Sequence, residues 1–268
     1  MKGQTTLRWK TPTVDAAEAE LLDGEGQTQY RRVVGKMMWA VNGVNPHISW
    51  AVRRLAELCG KARQVDLARL KATLRYTKGC GVSGPQLVSS VVPLLGSPTK
   101  KEGISEPELI VASDSDYAGG EQMRSSSGWA VWLRMNGRTV LLDAVAKKQG
   151  MVSLSVGESE LYAAVSAAAD SIHYRSMLAF LGVEASIWHY TDSASTLGVL
   201  AKLGGSRRTR HIDARVLWVQ GLQNRPWYHS CKVSSQDNPV DILTKPMVAP
   251  ESHRAAFGLR SAEGPETG

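Results

Sequence analysis

The sequence is organised around the stretch ELIVASDSD, residues Glu108–Asp116, which ends in two acidic residues. Its apolar residues Leu-Ile-Val are bounded by polar residues and predict a buried strand that ends in Asp114 and Asp116. In open α/β sheets, ligands gather beyond the carboxyl ends of central strands, so an acid at this place is positioned for metal chemistry. The alternative is that both aspartates only form a turn.

Three further acidic residues follow at other predicted element boundaries. Glu160 lies in the second turn of a long helix, where neighbouring alanines let that flank of the helix approach a sheet closely. Asp192 ends a strand, and Asp241 lies just inside the last short helix. Each has a structural alternative: Glu160 could face solvent, Asp192 could cap a helix, and Asp241 could interact with the helix dipole. Glu158, the predicted capping-box partner of Ser155, is expected to face solvent.

The combination of these acids indicates metal-dependent chemistry. Two adjacent strand ends and two helices beside them could bring together four carboxylates, those of Asp114, Glu160, Asp192 and Asp241. Hard oxygen ligands without a nearby set of cysteines or histidines favour Mg²⁺ or Mn²⁺. Two such ions could activate a water molecule and stabilise the leaving oxygen of a phosphodiester. Because like charges repel, we expect raised pKa values before metal binds.

The composition favours an anionic partner. The 268 residues carry a formal net charge of +7 and a sequence pI of about 9.4, so nucleic acid is the first candidate. A membrane surface is less favoured, because no basic amphipathic helix carries a large aromatic or leucine face. The cysteines form no CxxC pair and are too scattered for a disulfide framework. With no apolar run of membrane-spanning length and no signal-peptide core, we expect a soluble intracellular protein of the cytoplasm or nucleus.

The chain divides into five predicted segments. A polar and flexible lead occupies residues 1–27, three short helices with many basic residues occupy 28–80, and a proline- and glycine-rich linker occupies 81–107. Residues 108–248 alternate strands and helices in the order βββαβααβα, and residues 249–268 form a flexible tail.

The first three strands of this order are predicted to be antiparallel. The second and third are joined by Met135-Asn136-Gly137, which is a hairpin signal. Trp129 and Trp132 of this hairpin are interpreted as core or sheet-face residues rather than base-stacking ones.

Six motifs occur in a fixed order, namely LIVASDSDYAG, RSSSGW, LSVGESELYAA, HYTDSAS, RTRHIDAR and NPVDILTKPM. Together they resemble the ribonuclease H module of copia-type LTR retrotransposon Pol polyproteins. Upstream, YRRVVGKMMWAV, NPHISWAVRRLAEL and LKATLRYTKG resemble the segment that connects polymerase to ribonuclease H in that family. The resemblance covers about Tyr30 to Met247. No Y-x-D-D palm motif is present, so the chain looks like the C-terminal part of a polyprotein without the polymerase.

The resemblance implies a ribonuclease H-like fold, a mixed five-stranded sheet with flanking helices, preceded by a small helical subdomain. It implies cleavage of the RNA strand of RNA–DNA hybrids with two Mg²⁺ or Mn²⁺ ions, leaving 3′-hydroxyl and 5′-phosphate products. The family's metal-binding quartet falls on Asp114, bridging both ions, on Glu160 and Asp192 at one ion, and on Asp241 at the other. A polymerase domain could be supplied by another chain.

Basic residues near these motifs are candidate contacts to the nucleic-acid backbone, with ordinary solvated surface as the alternative for each. They are Lys147, Lys148, Arg207, Arg208 and Arg210, together with His211 for substrate or product handling. A structural histidine near a helix start is the alternative for His211.

Three other functions are consistent with parts of the pattern. A DnaQ-like exonuclease shares the fold but has D-x-E on its first strand, where this chain has Asp114-Ser115-Asp116. An integrase or transposase ends its triad with a helical glutamate, where this chain has Asp241. A catalytically silent, domesticated or decaying fragment that binds nucleic acid stays open, although the intact quartet argues against decay.

Overall fold

The computed structural model describes residues 19–43, 45–80, 95, 106–118, 124–204, 217–245 and 251–257. Its first part consists of the helices α1 (Gly24–Gly43), α2 (Ser49–Ala56) and α3 (Gln64–Cys80). The Asp23 side chain accepts a hydrogen bond from the Gly26 amide over 2.7 Å at the start of α1. Residues 24–27 of the predicted polar lead are therefore helical.

Five strands form one mixed sheet, as predicted. They are β1 (Glu108–Asp116), β2 (Ser126–Met135), β3 (Arg138–Lys148), β4 (Ser186–Thr191) and β5 (Tyr228–Lys232). Their order across the sheet is β3-β2-β1-β4-β5. The pairs β1–β2 and β2–β3 are antiparallel, and the pairs β1–β4 and β4–β5 are parallel. The predicted hairpin is confirmed, with Asn136 and Gly137 at φ angles of 52° and 71°, as a type I′ turn requires.

Helices cover both faces of the sheet. The long helix α4 (Val156–Phe180) packs on the face formed by Leu109, Val111 and Trp129. The other α-helices bounded within the described residues are α5 (Ala194–Leu200), α6 (Asp241–Thr244) and α7 (Glu251–Ala256). α6 and residues of α7 pack on the opposite face, against Ala112 and Trp132. This arrangement confirms the predicted fold class, and the burial of both tryptophans confirms their assignment to the core.

Parts of the predicted tail and of the predicted linker pack against the sheet. The predicted flexible tail, residues 249–268, contains α7, and Trp132 Nε1 donates a hydrogen bond to the Ala256 carbonyl over 2.8 Å. Ala256 and Phe257 are buried against the sheet, because the apolar residues of this short segment complete the core. Leu95, within the predicted linker 81–107, is also buried in that core.

A 3₁₀ helix precedes the last strand of the sheet. Residues 205–216 lie outside the described residues, and Trp218–Asn224 form a 3₁₀ helix.

The helical part of the chain contacts the sheet domain next to the last helices. α2 packs against α6 and β3, and α1 also contacts β3. Among the described residues, no helix combines the length and hydropathy needed to cross a bilayer.

Candidate active site

The pairing of two parallel strands places two of the predicted acids side by side. Ser113 of β1 pairs with Thr191 of β4 at the end of their ladder. The next residues along the two strands are Asp114 and Asp192. Asp114 is buried, whereas Asp192 is partly exposed. Both therefore lie at the carboxyl ends of central strands, where the sequence predicted a metal site.

The start of α4 brings Glu160 to the same point. Gly157, in the first turn of this helix, lies against the start of α5, and a Cβ at Gly157 would lie 2.6 Å from Ser195 Oγ. The missing side chain therefore lets the two helices approach closely. One oxygen from each of Asp114, Glu160 and Asp192 lies within 4.8 Å of the other two. Three of the four predicted acids thus form one compact group.

Asp241, the fourth acid, lies beside this group on α6. Asp114 pairs across the sheet with Gly128 of β2. A Cβ at Gly128 would lie 2.6 Å from Thr244 Cγ2 and 3.0 Å from Leu243 Cβ. The glycine therefore permits α6 to rest directly on the sheet next to Asp114.

Two residues at the end of α6 connect Asp241 to Asp114. Thr244 Oγ1 donates a hydrogen bond to Asp114 Oδ2. Lys245 Nζ lies 2.9 Å from Asp241 Oδ1 and 3.4 Å from Asp114 Oδ1. Asp241 is thus held near Asp114 through an ion pair with Lys245.

Burial and mutual repulsion raise the pKa values of two of the acids, which is the direction that the sequence predicted. Burial, followed by the charge of Asp241, raises the pKa of Asp114 to about 7, against the opposing effects of Lys245 and Thr244. Burial, followed by the charges of Asp114 and Asp192, raises the pKa of Glu160 to about 8. These carboxylates are therefore poorly compensated in the metal-free protein, and a cation would favour their charged forms.

The residues present fit a hard divalent cation. Glu160 is 7% exposed, and its Oε2 atom is buried without a hydrogen-bond partner. A buried carboxylate oxygen that lacks a donor is costly unless a cation satisfies it. The compact group offers carboxylate oxygens only, which suits Mg²⁺ or Mn²⁺ better than a soft metal.

The structure corrects two of the alternative structural roles. Asp192 does not cap α5, because Ser193 is the N-cap and accepts a hydrogen bond from the Thr196 amide over 3.2 Å. Glu158 does not face solvent. It is buried, and it accepts a hydrogen bond from the Tyr162 hydroxyl over 2.6 Å.

The short helix α6 begins without a side-chain cap. Val240 occupies the N-cap position of α6, and no side chain caps this helix. Asn238 instead donates a hydrogen bond from its side chain to the Ser113 carbonyl over 3.1 Å. This bond fastens the loop before α6 to the end of β1.

The predicted nucleic-acid contacts are only partly described. Lys147 is exposed at the end of β3, and its Nζ lies 4.6 Å from the centroid of the Trp129 ring. Lys148 is partly exposed, and it pairs with Ser126, which pairs in turn with Asp116. Both lysines thus lie at the same end of the strands as the acids. The remaining candidates, Arg207, Arg208, Arg210 and His211, lie outside the described residues.

Sequence reasoning missed a buried hydrogen-bond chain behind the site. His189 Nε2 lies 3.0 Å from Ser113 Oγ, and His189 Nδ1 lies 2.7 Å from the Tyr228 hydroxyl. Burial lowers the pKa of His189 to about 4, so the imidazole is neutral at pH 7. This chain fixes the residue next to Asp114. A histidine between apolar strand residues gave no signal of this role.

The chain is similar in sequence to retrotransposon Pol polyproteins of two plants. No model of a known protein family matches it. The Retrovirus-related Pol polyprotein from transposon TNT 1-94 of Nicotiana tabacum is 28% identical over 217 residues, which are 81% of this chain and 15% of that protein. The Pol polyprotein from transposon RE1 of Arabidopsis thaliana is 26% identical over 243 residues, 88% of this chain and again 15% of that protein. The chain therefore spans about 15% of the length of these relatives.

Two solved structures align with parts of this chain. LC11-RNase H1, solved in complex with an RNA/DNA hybrid, is 14% identical, with 53% of this chain and 96% of that chain covered and a TM-score of 0.38. The foamy viral protease-reverse transcriptase, solved in complex with dsDNA, is 10% identical, with 78% and 38% covered and a TM-score of 0.43.

The sheet order and its strand directions define a ribonuclease H-like fold, and acids gather where its central strands end. The chain is related in sequence to the Pol polyproteins of plant retrotransposons, which confirms the resemblance predicted from its motifs.

Proposed function

We propose that this chain is a metal-dependent endonuclease that hydrolyses the RNA strand of RNA–DNA hybrids, as part of a copia-type retrotransposon Pol protein. The observation that carries the proposal is the compact group formed by Asp114, Glu160 and Asp192 at the strand ends. The sequence relation to retrotransposon Pol polyproteins supports it. The proposal includes an intracellular location and a polymerase domain supplied by another chain.

Two divalent ions, Mg²⁺ or Mn²⁺, are proposed at this site. Asp114, Glu160 and Asp192 would hold one ion, and Asp114 and Asp241 would hold the other. Bound there, the ions would lower the pKa of an attacking water and stabilise charge on the leaving oxygen.

The protein's own residues would orient the acids and the substrate. Thr244 fixes the rotation of the Asp114 carboxylate through its hydrogen bond to Oδ2. Lys147 and Lys148 lie at the same end of the strands, where they would contact backbone phosphates. Hydrolysis would break the bond between phosphorus and the 3′ oxygen, and water would supply the new oxygen on phosphorus and the proton on the released 3′-hydroxyl. An RNA–DNA hybrid would be recognised by the shape and 2′-hydroxyls of its minor groove.

A cleavage assay tests the proposal. Purified protein is incubated with Mg²⁺ and a hybrid labelled on the RNA strand, with duplex DNA and single-stranded RNA as control substrates. We expect cleavage of the hybrid's RNA strand, and Asp114→Asn is expected to be slower by at least about a hundredfold, because charge stabilisation at the reacting phosphate is lost. Equal cleavage by both proteins would contradict the site.

The second candidate function is nucleic-acid binding without cleavage. It is favoured by the net charge of +7, which suits binding to a polyanion. A gel-shift assay on the same hybrid separates the two. Binding without cutting by either protein would favour a silent retroelement fragment.

A further inference from the structure

Lys245 occupies the gap between two of the four acids. Its amide donates to the Asp241 carbonyl over 2.9 Å, so its side chain follows that of Asp241 by one helical turn. Its Nζ then lies 2.9 Å from Asp241 Oδ1 and 3.4 Å from Asp114 Oδ1. A positive charge thus already lies where the proposed function places one of the two divalent ions.

The two sides of Asp114 differ in this respect. We call Asp241, Thr244 and Lys245 the lysine side, and Glu160 and Asp192 the open side. On the lysine side, Thr244 and Lys245 engage both oxygens of Asp114. On the open side, within the described part of the chain, no side-chain donor reaches Glu160 Oε2 and no ion pair reaches Glu160 or Asp192.

We propose that Lys245 holds the place of the second divalent ion, so that the free protein binds one ion, on the open side. This inference rests on the proposed function and deepens it. An ammonium group and a divalent ion a few ångströms apart repel each other strongly in a partly buried site. A second ion therefore binds between Asp114 and Asp241 only after the Lys245 ammonium leaves.

Lys245 can leave because it is not enclosed. Its side chain is 38% exposed, whereas that of Asp114 is 1% exposed. A lysine ammonium on a flexible stem can reach a new partner without moving the backbone. A phosphate of the bound hybrid would be such a partner, so binding of substrate and of the second ion would be coupled.

The experiment counts bound Mn²⁺ ions per chain without nucleic acid, by isothermal titration calorimetry and by electron paramagnetic resonance of free Mn²⁺. We expect one ion for the wild type and two for Lys245→Met. Lys245→Arg keeps the charge and should bind one. Lys232→Met is the matched control, because Lys232 Nζ donates to the Asp192 carbonyl and its loss removes equal charge near the same acids. This control should also bind one ion.

The outcomes separate the inference from the proposed function. Two ions in the wild type, or one in Lys245→Met, would overturn the role of Lys245 and leave the metal site standing. No ion in any of the proteins would contradict the metal site itself. Circular dichroism establishes folding, and if Lys245→Met does not fold, Lys245→Gln replaces it with the same expectation of two ions.

Discussion

The open side and the lysine side share Asp114, yet they are in different electrostatic states. The lysine side carries its own cation, with Nζ of Lys245 2.9 Å from Asp241 Oδ1. The open side leaves Glu160 Oε2 buried without a donor. Four acids that are equivalent in the sequence are therefore not equivalent in the fold. The difference arises from one lysine that follows Asp241 by a single helical turn.

Each side also depends on a glycine, and the two glycines differ. Gly128 faces the Cγ2 atom of Thr244 and the Cβ of Leu243, which belong to a helix packed on the sheet. Gly157 faces mainly the Oγ atom of Ser195, the end of a short rotatable side chain. The lysine side is therefore the more rigidly fitted of the two.

The largest expected effect is on the affinity for the first metal ion, the one bound on the open side. Glu160→Gln should weaken Mn²⁺ binding by at least about a hundredfold, because it removes a buried charged ligand. Asp241→Asn, on the lysine side, should leave the affinity of the first ion within about tenfold. Calorimetric titration of the two variants measures the difference. Equal losses would remove the distinction between the two sides.

The stability of the metal-free protein should depend on pH through Glu160, which lies on the open side. The pKa of Glu160 is raised to about 8 when the protein folds, so the folded state binds more protons than the unfolded state above pH 4. The free energy of unfolding should therefore fall as the pH rises from about 4 to about 8, by roughly 4 kcal/mol for this group.

Urea unfolding of wild type and Glu160→Gln in a chelator, at several pH values, tests this. The variant should be the more stable protein at pH 8 and should lose the advantage at pH 4. The pKa of His189 is lowered, so this group makes the protein more stable as the pH rises. Because both proteins contain His189, its effect cancels in the difference between them. An advantage that does not change with pH would contradict the prediction.

Gly128→Ala should destabilise the protein by about 1 to 2 kcal/mol, because its new methyl group would overlap α6. Gly157→Ala is the matched control on the open side. It should cost less than about 1 kcal/mol, because the Ser195 hydroxyl can rotate away. Urea unfolding measures both, and an equal cost would mean that the two contacts are equally rigid.

The smallest expected effect concerns the hydroxyl that holds Asp114. Thr244→Val should lower the free energy of unfolding by about 1 kcal/mol, since the variant keeps the shape but loses the hydrogen bond to Asp114 Oδ2. Thr244→Ser keeps the hydroxyl and should restore the pH dependence of the wild type. Identical pH profiles for the valine variant and the wild type would exclude a role for this bond.

Much of the fold and part of the site could be predicted from the sequence. Asp114 and Asp192 follow apolar strand segments, and parallel neighbours in a sheet bring their ends together, so their approach was predictable. Glu160 was predictable from its place in a helix with small neighbours. The hairpin at Asn136-Gly137 followed from local turn chemistry.

The rest depends on contacts between distant segments. Lys245 and Gly128 acquire their roles only when α6 rests on β2, and nothing local in the sequence specifies that contact. Glu158 was wrongly expected in solvent, because its burial depends on Tyr162 one turn later. The helix within the predicted tail was not foreseen, because Phe257 finds its core partner in Trp132, far away along the chain.

The most direct test of the central claim is anomalous diffraction from a crystal soaked in Mn²⁺ without nucleic acid. We predict one strong peak between Asp114, Glu160 and Asp192, with Lys245 still between Asp114 and Asp241. Diffraction that shows the three carboxylates but no anomalous peak among them would contradict the account.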